Sequence, residues 1–369
     1  MVTNQPLIKT KTKRTPQKQQ SSKTKIKRTL QIPTVKDMIS HLDERVHGNT
    51  HAKEALAIAF KNIEYRANFP ECSLKKTNLM LFGETGTGKT YMLDLLTKYC
   101  KMPLIKINLT GRTPAGIWGQ DIAEDFELLI DKSNPEFQTF MEEQEDLGHS
   151  DISLPLVQHA PYSVVYLDEI DKLGKQEDSL SSKGLQNEII GLSEDRDILN
   201  NNLTTKHMLF VASGAFVGLD EIVQARLKKQ APMGFSQQTI LRDSSNWYEH
   251  ITTEDLIKYG LKPELLGRFP INTRTDPMTM QTLCAILDKK ESPLKTYTSL
   301  LIKAHNLSLR TPPETKEVLA SYALESKTNA RGLESAVEKI LRPYFLDTQT
   351  YEGEKIVITP KDAKERLYS

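Results

Sequence analysis

The chain has 369 residues, 38% hydrophobic and 26% charged, which is ordinary for a globular protein and long enough for two or three units with sizeable cores. No apolar run approaches the roughly 18 residues that cross a bilayer, and no signal-peptide core stands near Met1. The cysteines Cys72, Cys100 and Cys284 are too scattered for a zinc module or a disulfide scaffold, so the expectation is a reducing, cytoplasmic setting with no membrane and no zinc.

The net charge of +1 hides an asymmetry: residues 1–30 carry nine basic residues and no acid, and the remainder is net acidic. Residues 1–33 read as a disordered basic tail with almost nothing to bury. Three uses stay open for it: a solvated arm, an electrostatic contact with nucleic acid or an acidic partner, or a transit peptide.

From Thr34 the pattern turns amphipathic. Val35, Met38, Ile39 and Leu42 predict one helix, and a second is predicted from Ala52 to Arg66, after Val46-His47. Leu79–Phe82 and Leu104–Asn108 read as strands, and Ile122–Ile130 as a helix. Residues 131–160 are polar, acidic and without period, and read as a surface insertion. Ser163–Leu167 and Met208–Ala212 read as buried strands, with a short one at Phe269–Thr273. Strands separated by helical segments predict an α/β fold: a parallel sheet flanked by helices over 34–276. Residues 277–369 change character to short helices with one strand, Lys355–Thr359, and predict a small, mainly helical lid domain.

One stretch carries chemistry without ambiguity of spacing. Gly83-Glu84-Thr85-Gly86-Thr87-Gly88-Lys89-Thr90 fits G-x-x-x-x-G-K-[ST], with a strand before it and a helical pattern after it. Glycines let such a loop turn its N–H groups inward, and the following helix adds partial positive charge. Lys89 is then expected at the β- and γ-phosphates of ATP or GTP, and Thr90 at Mg²⁺. Val164–Leu167 ends in Asp168-Glu169. After a phosphate loop, such a pair predicts a Mg²⁺ contact at Asp168 and a water-polarising base at Glu169; alone, the same acids would be ordinary turn residues. Gly83, Asp168 and Ser213 all fall at carboxyl ends of predicted strands, where open parallel sheets bind ligands. Arg268 and Arg331 stand out by context as further positive groups, although by residue type alone each reads as a surface arginine.

These motifs resemble the AAA+ P-loop ATPases of the Clp/Hsp100 class, most closely the ClpX-type unfoldases, over about residues 35–360. Asp168-Glu169-Ile170-Asp171-Lys172 is similar to that family's Walker B segment, and Glu254–Glu264 running into Gly267-Arg268 to its Box VII. The resemblance implies a five-stranded large domain with a small helical domain. It makes Arg268 an arginine finger acting on the neighbouring subunit's ATP, Arg331 the sensor-2 arginine, Ser213 the best sensor-1 candidate, and Val46 and His47 part of the adenine pocket. A finger in trans implies a homo-oligomeric ring, expected to be a hexamer, that pulls protein substrates through its channel.

Gly116-Ile117-Trp118-Gly119 aligns with the family's aromatic pore loop, with the aromatic one position late; Trp118 either grips a chain or packs against the domain. Met233-Gly234-Phe235 matches the tripeptide that docks a ClpP-like peptidase, or else covers the domain surface as an ordinary loop anchor. The family's zinc-binding N-terminal domain has no counterpart in this sequence, and the basic tail stands in its place. Two alternatives remain: a peptidase-independent remodelling chaperone, and a nucleic-acid-associated motor recruited by the tail. No aromatic residues interleave the tail's basic ones, which argues against the second.

Overall fold

The computed structural model describes residues 30–112, 122–127, 162–175, 180–198, 203–230 and 244–368. Residues 1–29 of the basic tail, Gly116–Gly119 with Trp118, the 131–160 segment and Met233–Phe235 lie outside the described residues, whereas the end of the expected tail is packed: Leu30 and Ile32 are buried, and their N–H groups donate to Asn68 Oδ1 at 3.0 Å and Glu64 Oε2 at 3.2 Å.

Five strands form the main sheet: β1 (Leu79–Phe82), β2 (Leu104–Asn108), β3 (Val164–Asp168), β6 (Leu209–Gly214) and β7 (Ile271–Arg274). Their order is β2-β3-β6-β1-β7, and every neighbouring pair is parallel. The expected parallel five-stranded sheet is thus present. The middle strands β1 and β6 are buried along their whole length, as a sheet covered on both faces requires.

The period of two along each strand decides which residue faces which core. Leu79, Leu81, Val164, Tyr166, Leu209 and Val211 pack with the helices Val35–Arg45, Thr50–Asn68 and Lys89–Cys100. Met80, Phe82, Val165, Leu167, Phe210 and Ala212 face the other way, toward the helix Leu180–Ser193 and the segment 256–269. This parity places Tyr166, Asp168 and Ser213 on the same side of the sheet as the helix that follows the phosphate loop.

A short antiparallel pair, β4 (Asp197–Ile198) with β5 (Leu203–Thr204), forms a separate two-stranded sheet. Residues 278–367 build a third apolar cluster from helices Met280–Asp288, Pro293–His305, Pro313–Glu325, Ala330–Leu346 and Pro360–Tyr368. Here β9 (Lys355–Val357) pairs in parallel with β8 (Ser308–Arg310). Sequence patterning had shown the second of these strands and not the first, because Ser308-Leu309-Arg310 has one buried position and no repeat to read.

Candidate nucleotide site

The register aligns Phe82, Gly214 and Arg274 at one edge of the sheet, with Asp168 at the end of β3 beside them. The phosphate loop leaves this edge at Gly83. A Cβ there would meet Thr275 Oγ1 at 1.8 Å, so the close approach of the β7 exit requires glycine. The loop is braced from outside. Thr275 Oγ1 donates to Thr87 Oγ1 at 2.7 Å, and Thr87 Oγ1 donates to Glu84 O at 2.8 Å. Asn49 Nδ2 donates to Thr87 O at 3.1 Å, while Asn49 and Asp276 exchange two backbone-to-side-chain bonds of 2.5 and 2.6 Å. These braces preset the loop's shape before any ligand arrives. None of Asn49, Thr275 and Asp276 was legible as part of the site, since each lies outside any motif.

Lys89 is buried, and its Nζ donates to Gly83 O at 2.6 Å and Glu84 O at 2.8 Å. Burial lowers its pKa to about 8; the carboxylates of Asp168, Asp171 and Glu84 oppose the shift, and Arg331 adds to it. A cation held at the limit of its charge by the fold is well prepared for an anionic ligand.

The Tyr166 hydroxyl is the hub of the site's floor. It is 2.6 Å from Ser213 Oγ, donates to Asp168 Oδ1 at 3.1 Å, and accepts from Thr90 Oγ1 at 3.2 Å. Ser213 Oγ also donates to Asp168 Oδ1 at 2.8 Å. Burial, then the nearby Asp168 carboxylate, push the phenol pKa well above its ordinary value, so it acts as a neutral hydroxyl. Sequence reading placed Tyr166 only in the core. Its polar end lies two residues before Asp168 on the same face, and strand parity was the signal that brings it to Thr90.

Thr90 and Asp168 are both hard oxygen donors, and both bond the same phenol oxygen. That set suits Mg²⁺, which binds one or two protein ligands and takes the rest from phosphate and water. Among the described residues no group of three or more His, Cys, Asp or Glu side chains is placed to hold a metal ion.

Glu169 lies beyond the strand end with φ +62°, a left-handed conformation that costs a non-glycine residue roughly 1–2 kcal/mol. Its carboxylate accepts a hydrogen bond from Thr110 Oγ1, from the loop after β2. Asp171 is buried in the same wall, and burial raises its carboxyl pKa.

A cavity of about 440 Å³ opens over this floor. It is lined by Val46, His47, Thr85–Thr90, Asp168, Glu169 and Arg331, among others, with Ile286 and Met278 from the helical segment. Thus Val46 and His47, the loop, the acids and Arg331 are brought together, and Ser213 lies beneath them.

Arg268 is elsewhere. It lines a second cleft of about 880 Å³ with Arg66, Lys76, His207 and Pro270, and it pairs with Glu194. This cleft is built from residues just before β1, β6 and β7, so it lies at the opposite edge of the sheet from the phosphate loop. β1 alone, with four residues, separates the two edges by about 13 Å.

The stretch around Glu254–Glu264 proves to be structural in its own chain. Asp255 is fully buried and caps the helix Thr253–Lys258 through Thr252. It also receives a forked bond from Arg226, at 2.9 and 3.1 Å from Nε and 2.9 Å from Nη2.

The AAA domain (Cdc48 subfamily) family matches residues 74–272 of this chain, which include the loop, the acids and Arg268. The chain belongs to this family. It is also similar to "ATP-dependent Clp protease ATP-binding subunit ClpX" of Treponema denticola, 28% identical over 358 residues that cover 89% of this chain and 81% of that protein. The proteins of the same name from Borrelia duttonii and Borrelia recurrentis are each 29% identical over 360 residues, covering 90% of this chain and 78% of theirs. The similarity therefore runs beyond the AAA match into the helical segment. The phosphate loop, the Asp168-Glu169 strand end and these relatives agree on a ClpX-like AAA+ ATPase.

Proposed function

We propose that the chain is an ATP-driven protein unfoldase of ClpX type, working as a ring that feeds protein substrates to a Clp-type peptidase. ATP binds in the 440 Å³ cavity, with its phosphates on the loop and Lys89, its base near Val46 and His47, and Arg331 reaching in from the helical segment. Thr90 and Asp168 hold Mg²⁺, which when bound screens the charge of the phosphate oxygens. Glu169 orients and polarises the attacking water. Its Thr110 bond keeps the carboxylate at the cavity wall.

The single observation that carries the ring is the position of Arg268. A cation at the far edge of its own sheet is out of reach of its own nucleotide, which supports a role in a neighbour's site. The cleft around it carries more basic than acidic side chains, with Arg66, Lys75, Lys76 and Lys206 beside Glu194 and Asp195, which suits a face that receives an anionic partner group. Met233-Gly234-Phe235 is the proposed peptidase contact and Trp118 the proposed substrate grip; a hexamer is the proposed ring size. The cytoplasm is the proposed setting. Among the described residues no helix is long and apolar enough to cross a membrane.

The test uses a stable fluorescent protein with an unstructured tail as substrate. ATP-dependent loss of fluorescence that a Clp-type peptidase accelerates, with that acceleration abolished by Phe235→Ala, is the expected result. Fluorescence loss that the peptidase does not accelerate would favour the remodelling chaperone. No loss in either condition would overturn the unfoldase reading.

A further inference from the structure

The phosphate loop is gripped on its outer side by the helical segment, at a point that Arg331 does not touch. Asn329 Nδ2 donates to Thr85 O at 2.9 Å and to Glu84 Oε2 at 3.2 Å. The next residue, Ala330, donates its N–H to Gly86 O at 3.3 Å. A Cβ on Gly86, whose φ is +79°, would meet Thr328 O at 2.4 Å, so the approach of this turn fixes a glycine in the middle of the loop. Three consecutive loop residues thus hold one turn, Thr328–Ala330.

Asn329 itself is in an unusual state. It is buried, and its φ of +53° with ψ of −133° lies outside the left-handed basin that asparagine ordinarily visits. Such a conformation persists only where surrounding contacts over-determine it. The contacts are its two carboxamide bonds to the loop and its own N–H, which donates to Ala323 O at 3.3 Å in the preceding helix. A glycine would take this backbone without strain. The carboxamide is therefore what the strained asparagine adds, and both its hydrogen bonds go to the loop. They engage a carbonyl and a carboxylate, so they leave the loop N–H groups to a phosphate.

We infer that Asn329 is a positioning residue: its carboxamide clasps the apex of the phosphate loop to the helical segment, coupling loop and segment independently of Arg331. The inference rests on the nucleotide-site reading for its role during turnover, but the clasp itself holds without nucleotide. A small shift of the loop on binding then moves the turn that starts the helix Ala330–Leu346, and with it the whole C-terminal cluster. Two links, one through the loop's outer side and one through Arg331 in the cavity, make the segment's orientation follow the site.

The experiment measures the distance between fluorophores on Cys72 and on Leu346→Cys, both exposed positions, in a full-length Cys284→Ser background, by single-molecule energy transfer. Asn329→Gly, which keeps the backbone and removes the carboxamide, should broaden the distance distribution without nucleotide. It should also reduce the mant-ADP-induced shift by half or more, while Arg331→Ala alone retains part of the shift and the double variant loses it. Asn329→Asp, which sets a carboxylate against Glu84, should broaden the distribution equally, and adding Glu84→Gln should narrow it again; a merely structural role for Asn329 predicts no such rescue. An unchanged distribution and an unchanged shift in Asn329→Gly would overturn the clasp. A wild-type chain that fails to bind mant-ADP, yet shows the broadening in Asn329→Gly, would instead overturn the nucleotide-site reading and leave the clasp standing.

Discussion

The Tyr166 hydroxyl lies 2.6 Å from Ser213 Oγ, and both bond Asp168 Oδ1, so one buried hydroxyl pair sets the rotamer of the acid at the end of β3. Removing the phenol oxygen leaves Thr90 Oγ1 without its bond to the floor. Tyr166→Phe should cost about 1 kcal/mol of stability. It should lower ATP turnover about tenfold, the equivalent of 1.4 kcal/mol in the barrier, and raise the Mg²⁺ needed for half-maximal rate. Steady-state ATPase titrated with Mg²⁺ checks this. An unchanged Mg²⁺ dependence would show that the hydroxyl does not position the site.

Asp255 and Arg226 form an ion pair with one partner fully buried. Asp255 keeps a low pKa despite its burial, because Arg226 and Thr252 hydrogen bonds outweigh desolvation. Asp255→Ala removes both the carboxylate that the guanidinium grips and the capping box of the helix Thr253–Lys258, and should destabilise the fold by about 3–5 kcal/mol. Urea unfolding measures the loss. Nucleotide affinity of the folded fraction should stay unchanged, since Asp255 does not line the cavity.

Lys76 gives a pH signature. Its Nζ donates to Ser193 O and Glu194 O at 3.2 and 3.1 Å and pairs with Asp195 at 3.4 Å. Burial lowers its pKa from 10.5 to about 8, with Asp195 opposing and Arg66 adding. Between those values the unfolded chain holds the proton that the folded chain has released, so this residue's contribution rises with pH from 8 to 10.5. The effect is on the order of 3 kcal/mol across the window. Wild-type stability measured against Lys76→Met should therefore increase over that range. A flat difference would refute the shift.

The trans assignment of Arg268 predicts complementation. Lys89→Ala chains and Arg268→Ala chains should each be nearly inactive as ATPases. Mixed, they should recover part of the turnover, because some interfaces then join an intact loop to an intact finger. No recovery on mixing would place Arg268 outside the reaction.

Where sequence reading succeeded, the signal was local. The phosphate loop, the acid pair and the five strands each announce themselves within ten residues, through glycine spacing or a run of apolar residues. Where it fell short, the residue acts across the fold. Asn49 and Asp276 meet over a separation in sequence that no motif spans. Asn329 touches Thr85 only because a helix start from the C-terminal cluster comes to rest on the loop. Thr110 reaches Glu169 from the exit of another strand. Tyr166 was half legible: its burial followed from the pattern, but the target of its hydroxyl required the register of three strands. Arg268 shows the converse, since its motif was plain and only the sheet's geometry separates it from the nucleotide cavity.

Glu169 is the residue proposed to drive hydrolysis, at a site built by Lys89, Thr90 and Asp168. The direct test is ATP turnover and mant-ATP binding by Glu169→Gln, measured on the same preparation. Turnover should fall by about 100-fold or more, the scale of a lost general base, while mant-ATP affinity stays within about threefold of wild type. Turnover near the wild-type rate would contradict the account.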